Sequence, residues 1–164
     1  MSVLWRYVGG GLVLLSALIA SAEYRSYAKR RILQYEGLIA LLAHIEGMIG
    51  RYLASGDGLY RGFESAELER IGLLPLLRQG VGIADAFKRC LGEINLPKDS
   101  RKAVSEFLSG LGRDYKEGEL KSLREFRTEL EREKSTEAER LEKNAKVITA
   151  LLIGGALAFL IMII

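Results

Sequence analysis

Few residues in this chain have the type and spacing that chemistry requires. His44 is the only histidine among 164 residues, so multi-histidine metal sites and His-based triads lack their ligands and bases. It lies between Leu41 and Ile45 in a helical pattern and reads as a structural histidine. Cys90 is the single cysteine. It can form no internal disulfide and no zinc site by itself, and it reads as a small apolar helix residue. Glu129 and Glu133 are carboxylates that could be posed as a glycosidase dyad. The surrounding stretch is so rich in acids that they read as a solvated face. Gly9-Gly10-Gly11 is not followed by Gly-Lys-Ser/Thr, so it makes no phosphate loop. The expectation is a protein without catalysis, cofactor or metal: no enzyme.

The physical signal lies in how the apolar residues are distributed. Hydrophobic residues make up 49% of the chain and charged ones 27%, and the two are segregated. Val147–Ile164 is an 18-residue stretch without charge, about 27 Å as a helix against a hydrocarbon core of about 30 Å. At the other end Tyr7–Ala22 is free of charge, and Val3–Ala22 becomes a span of 20 residues if Arg6 snorkels to the interface. Trp5, Tyr7, Tyr24 and Tyr27 supply the amphipathic rings expected at headgroup level. Ala20-Ser21-Ala22 resembles a signal-peptidase site, but Arg25, Lys29, Arg30 and Arg31 follow at once and resist translocation. The segment is therefore expected to stay as an anchor. With Arg140, Lys143 and Lys146 at the other junction and only Arg6 outside, the positive-inside rule places both termini out. The expected organisation is a transmembrane anchor at 1–22, a cytoplasmic helical domain at 23–146 and a transmembrane helix at 147–164.

Between Glu23 and Lys146 lie 23 basic and 21 acidic residues. The basic clusters flank the apolar ends without the interleaved aromatics of a nucleic-acid surface, so nucleic acid is not expected as a partner. From Ile32 to Leu53 the residues Leu38, Leu41, Leu42, Ile45, Met48, Ile49 and Tyr52 make one apolar helix stripe, continuous with the first anchor and stopped by Ser55-Gly56-Asp57-Gly58. Short helices are expected over Phe63–Ile71 and Ile83–Ile94, with Gly72–Pro75 a turn and Leu76–Gln79 too short to stand alone. Another follows Asn95-Leu96-Pro97, capped by Asp99 or Ser100 and burying Val104, Phe107, Leu108 and Leu111. A last helix starts near Tyr115, with the seam Leu120, Leu123, Phe126, Leu130 and a solvated portion near Glu131–Glu137. β-Branched alternation is absent. The fold class is all-α: a membrane-anchored antiparallel helical bundle with a transmembrane helix at each end. Ala150, Gly154 and Ala158 recur every four residues, a spacing that lets transmembrane helices approach closely.

Several motifs, in order, resemble the stage III sporulation protein AB family of endospore-forming bacteria. They are the N-terminal anchor, the Arg30-Arg31 junction before a leucine-rich helix, and Leu111-Gly112-Arg113-Asp114 after Phe107-Leu108. Then come Leu130-Glu131-Arg132-Glu133 and a basic approach to Gly154-Gly155 and an apolar C-terminus. Glu119 stands where the family usually carries Gln, Leu151 replaces a glycine, and Gly56–Gly80 is left unmatched to the pattern. The resemblance implies a component of the channel-like complex between mother cell and forespore. It is similar to the inner-membrane platform proteins of type II secretion and type IV pilus machines. The implied location is the mother-cell side of the forespore, and the implied partners are a cytoplasmic secretion-type ATPase and other membrane components of the channel.

Two functional readings follow. In the first the chain is a non-catalytic platform or adaptor that couples the ATPase to the membrane assembly, with docking contacts among Arg78, Lys88, Arg89, Arg113 and Asp114. In the second it is a self-assembling membrane scaffold whose coiled-coil-like cytoplasmic domain pairs with copies of itself. A pore-former is disfavoured because neither apolar segment carries a polar stripe.

Overall fold

A computed structural model describes residues 2–52, 60, 62–112 and 116–163. The described residues contain six α-helices and no strand: α1 (Ser2–Tyr52), α2 (Ala66–Arg70), α3 (Leu73–Arg78), α4 (Ile83–Arg89), α5 (Lys98–Gly110) and α6 (Lys116–Ile163). The only prolines are Pro75 and Pro97, so nothing in α1 or α6 removes a ladder hydrogen bond. Both long helices therefore continue without a break from apolar into charged sequence. The expected stop at Ser55-Gly56-Asp57-Gly58, the docking residues Arg113 and Asp114, and Tyr115 lie outside the described residues, as do the side chains of Trp5, Tyr7 and Tyr52.

The chain divides into two compact units, a terminal one of Met1–Lys29 with Thr136–Ile164 and a central one of Arg30–Ser135. In the central unit the core contains Leu38, Leu41, Leu42 and Ile45 of α1, Leu68, Leu73, Leu74, Leu77, Ala86, Phe87, Val104 and Leu108 of the short helices, and Leu123 and Leu130 of α6. Of the stripes expected on the long helices, Leu38, Leu41, Leu42, Ile45, Leu123 and Leu130 are buried, Met48, Ile49 and Leu120 are half-buried, and Tyr35 joins the core at 1% exposure. Phe126 is half-buried and stacks on Phe107 with centroids 4.1 Å apart.

The short helices depart from expectation at their ends. Phe63 to Ser65 lie outside any helix, and α2 begins only at Ala66, because extended Ser65 accepts from Leu68 N–H with its hydroxyl as an N-cap. The segment expected as a turn, Gly72–Pro75, instead opens α3. Gly72 takes a left-handed φ of 84° as N-cap, and Pro75 sits in the first turn, where its missing N–H has no intrahelical partner to lose. Helix α4 ends at Arg89, five residues short of Ile94, and buried Cys90 is its C-cap. Neither Asp99 nor Ser100 caps α5. Pro97 occupies that position, and Ser100 is spent on the Tyr35 hydroxyl at 2.9 Å in the core.

In the terminal unit the Ser21 and Thr149 hydroxyls share a hydrogen bond of 2.8 Å, and Arg25 Nη2 reaches Thr149 at 3.4 Å. Val13, Ala17 and Ala20 of α1 line one groove together with Leu152, Gly155 and Ala156 of α6. Among the described residues one stretch, Gly11–Gly50 within α1, is long and apolar enough to cross a membrane. The outer ends of both expected spans include side chains outside the described set.

Candidate interaction surface

In the central unit the short helices are tied to α1 at a few named points. Gln34 is 1% exposed. Its Nε2 donates to Glu67 Oε1 and to the Glu93 carbonyl, each at 3.1 Å, and its Oε1 accepts from Asn95 N–H at 2.7 Å. One side chain thus joins α1, α2 and the connection after α4. Arg70 donates to Glu67 at 2.6 and 3.0 Å. That hydrogen bond first, and the one from Gln34 as well, hold the Glu67 carboxyl below the usual carboxylate range against the opposing effect of burial. Close approach finishes the joint: a Cβ on Gly37 would meet Leu68 Cγ at 2.9 Å and Ser65 Oγ at 3.1 Å.

Charge joins α1 to α6 in the same unit. Glu46 is gripped by Arg124 at 2.6 Å and by Arg127 at 2.7 Å. Lys134 lies 3.6 Å from Glu36, and Lys116 donates to the Gly50 carbonyl at 3.0 Å. Ahead of α6, Gly112 has a φ of 84° and its N–H donates to the buried Glu119 carboxylate at 2.8 Å. The Gln expected there from the family pattern offers the same acceptor oxygen, so the departure keeps the contact.

Arg78 closes α3, exposed and paired with Glu69 at 2.8 Å. Lys88 and Arg89 are exposed on the last turn of α4, which packs on α3. These three cations therefore project from neighbouring helices. Ala150, Gly154 and Ala158 are all exposed, and a Cβ on Gly154 would meet nothing within 4 Å. The small residue buried on that part of α6 is Ala156, at 6% exposure.

The residues considered for chemistry lie apart. His44 is half-buried, its ring 5.3 Å from that of Phe63, and its buried Nε2 has no hydrogen-bond partner among the described residues. The Cys90 thiol is pushed up by burial, which keeps it protonated and unreactive. Glu129 is solvated and bonded to Arg132 at 2.6 Å. Glu133 is half-buried, with Oε2 unbonded, and Glu137 is buried beside Arg140 at 3.6 Å. The portion expected to be solvated is therefore partly enclosed, because carboxylates continue the inward positions after Leu130. Among the described residues no group of three or more His, Cys, Asp or Glu could hold a metal ion. The concavities are open grooves, such as one of about 420 Å³ lined by Leu33, Gly37 and Ala40 of α1 with Ser65, Ala66 and Arg70. What the central unit presents is charged helical surface.

The model of the family described as Stage III sporulation protein AB matches residues 76–164, more than half of the chain. The chain belongs to the stage III sporulation protein AB family. The match takes in α3 from Leu76 to the end of α6, and with them the Gly112–Glu119 contact, Lys88, Arg89 and the Gly154-Gly155 pair. The Arg30-Arg31 junction, Gln34 and Glu67 precede it, while the Glu93 and Asn95 partners of Gln34 lie within it. No curated protein and no solved structure matches the chain.

Proposed function

We propose that this sporulation stage III protein is a non-catalytic membrane platform that couples a cytoplasmic secretion-type ATPase to a channel-like membrane assembly during endospore formation. In this reading 1–22 and 147–164 are transmembrane anchors on the mother-cell side of the forespore, and 23–146 is a cytoplasmic domain. The observation that carries the membrane part is where large apolar side chains are exposed. Leu12, Leu15, Leu18, Ile19, Val147, Leu151, Leu157, Phe159 and Ile161 are exposed in the terminal unit. In the central unit, among the described residues, only Leu33 is, at 37%. A surface this apolar needs lipid or protein against it, whereas the central unit has closed its own core.

The antiparallel arrangement draws support from pairings within each unit. Residues 36, 46 and 50 of α1 pair with 134, 124 and 116 of α6. Separately, the hydroxyls of residues 21 and 149 meet, and 13–20 share a groove with 151–156. In both cases the numbers rise on one helix as they fall on the other. Docking through Arg78, Lys88 and Arg89 suits a partner with an acidic surface, because exposed Lys and Arg steer such partners. The test is a photocrosslinking residue placed at Lys88 or Arg89 of the full-length protein in sporulating cells. Crosslinks to a secretion-type ATPase at these positions, and none from Glu129 on α6, are expected. Crosslinks only to copies of the same chain would replace the adaptor with the scaffold reading.

A further inference from the structure

The terminal unit carries more cations at one level than its acids engage. Arg25 and Lys29 on α1 and Lys143 on α6 are exposed. Among the described residues none of them pairs with an acid, and the one polar contact in the group is the reach of Arg25 to the Thr149 hydroxyl at 3.4 Å. Two other cations nearby are occupied: Lys146 by Glu142 at 2.7 Å and Arg140 by Glu137 at 3.6 Å.

The Ser21–Thr149 hydrogen bond fixes a common height for the two helices of this unit. Both hydroxyls lie just inside the charge-free stretches. At about 1.5 Å per residue, Arg25 stands about 6 Å along α1 from Ser21 and Lys29 about 12 Å, while Lys143 stands about 9 Å along α6 from Thr149. With α1 and α6 opposed, all three are displaced to the same side. The headgroup layer adds about 5–8 Å beyond each face of the hydrocarbon core. Arg25 lies within that layer, and the long stems of Lys29 and Lys143 let their ammonium groups reach back to it. Free acids are less well placed. Glu23 is two residues from Arg25, about 200° around the helix, whereas Lys29 shares the face of Arg25 at i, i+4. Glu139 is farther still from Thr149, about 15 Å along α6.

We propose that Arg25, Lys29 and Lys143, with the Thr149 hydroxyl, form a collar that binds the phosphate of anionic phospholipids in preference to zwitterionic ones. Guanidinium and ammonium donors beside a hydroxyl suit a phosphodiester oxygen, and the quaternary amine of a zwitterionic headgroup opposes the same cations. The inference rests on the membrane reading above. It goes beyond orientation by charge, because it assigns lipid selectivity to three named residues.

The test is electron spin resonance of the full-length protein in phosphatidylcholine bilayers containing trace spin-labelled phosphatidylglycerol or, in parallel, spin-labelled phosphatidylcholine. A basic residue held at an anionic lipid surface gains about fivefold in association from that attraction. The wild type should therefore restrict phosphatidylglycerol at least about fivefold more strongly than phosphatidylcholine. That ratio should fall with added salt and approach one in the R25Q/K29Q/K143Q variant. The restricted phosphatidylcholine signal should stay unchanged, which shows that the variant is still inserted. Equal restriction of the two lipids by wild type, or an undiminished ratio in the variant, overturns the collar alone. No restricted lipid of either kind overturns the membrane reading and the collar with it.

Discussion

Replacing Gln34 with methionine tests how the short helices are held to α1. Methionine keeps the length and most of the volume of glutamine but removes every polar atom. Two hydrogen bonds to backbone, from Asn95 N–H at 2.7 Å and to the Glu93 carbonyl at 3.1 Å, disappear together with the one to Glu67. Glu67 keeps Arg70, so the orphaned backbone groups after α4 bear most of the loss. Two neutral bonds at about 1 kcal/mol each and one to a charged group at about 1.5–3 kcal/mol bound the cost. Partial access of water to these groups brings it to about 2–4 kcal/mol. The direct readout is amide exchange at Asn95, followed by mass spectrometry on the full chain in detergent micelles. A local opening made easier by that amount accelerates exchange about 30- to 700-fold, while the 119–130 segment of α6 should keep its protection. Unchanged exchange at Asn95 would refute the reasoning. It would mean that apolar packing by Ile94 and Leu96, both buried, holds the segment without Gln34.

Glycine contrasts test the close approach of α1 and α2. Gly37→Ala gains about 1 kcal/mol of helix propensity but drives a Cβ to 2.9 Å from Leu68, an overpacking cost of about 1–3 kcal/mol. The thermal midpoint should fall or at best hold, and Gly37→Val should lower it further. Gly47→Ala, where an added Cβ meets nothing within 4 Å, should raise it. Acidification should expose Glu67. Its folded-state pKa is depressed by Arg70 and Gln34, so its contribution is full above the unfolded-state value and is lost as pH falls through the folded-state value. The gap in thermal midpoint between wild type and Glu67→Gln should therefore be widest near neutrality and close under acid, and a gap independent of pH would contradict the assignment. Membrane sidedness is best read in a Cys90→Ala background, because the native thiol is buried and protonated and its silence would say nothing of location. An impermeant maleimide applied to intact cells should label Ser2→Cys and spare Lys102→Cys, whose native side chain is 76% exposed; the reverse pattern would invert the topology.

How far the sequence could be read depended on the length of each pattern. In α1 and α6 the apolar stripe recurs over many turns with no proline, so tertiary contacts had nothing to override, and Leu38, Leu41, Leu42, Ile45, Leu123 and Leu130 are buried where their spacing puts them. Helices α2, α3 and α4 span one or two turns, where a single cap decides the boundary. Ser65 delays α2, Gly72 with Pro75 turns an expected loop into α3, and Cys90 closes α4 early. Propensity in such segments is weaker than one capping hydrogen bond. The polar ties were missed for a different reason. A glutamine or a glycine in a leucine-rich helix carries no periodic signal, so neither the three bonds of Gln34 nor the fit of Gly37 against Leu68 was legible. The inward course of Glu133 and Glu137 was hidden in the same way, because the charge of a residue says less about its facing than its register does.

Polar ties of this kind suit the proposed platform better than a purely apolar joint would. An apolar seam between long helices tolerates sliding by a turn, since leucine at one position resembles leucine four residues on. Gln34 accepts and donates to three partners with fixed directions, and Glu46 must lie between Arg124 and Arg127. A slip of one turn, about 5.4 Å, would break these contacts together and leave buried polar groups without partners. The central unit therefore has one register at which the contacts of Gln34 and Glu46 are all made together. Lys88 and Arg89 on α4 are held in that register through the Glu93 and Asn95 contacts to α1. A partner docking on them would load a joint that resists sliding, as the proposed coupling requires.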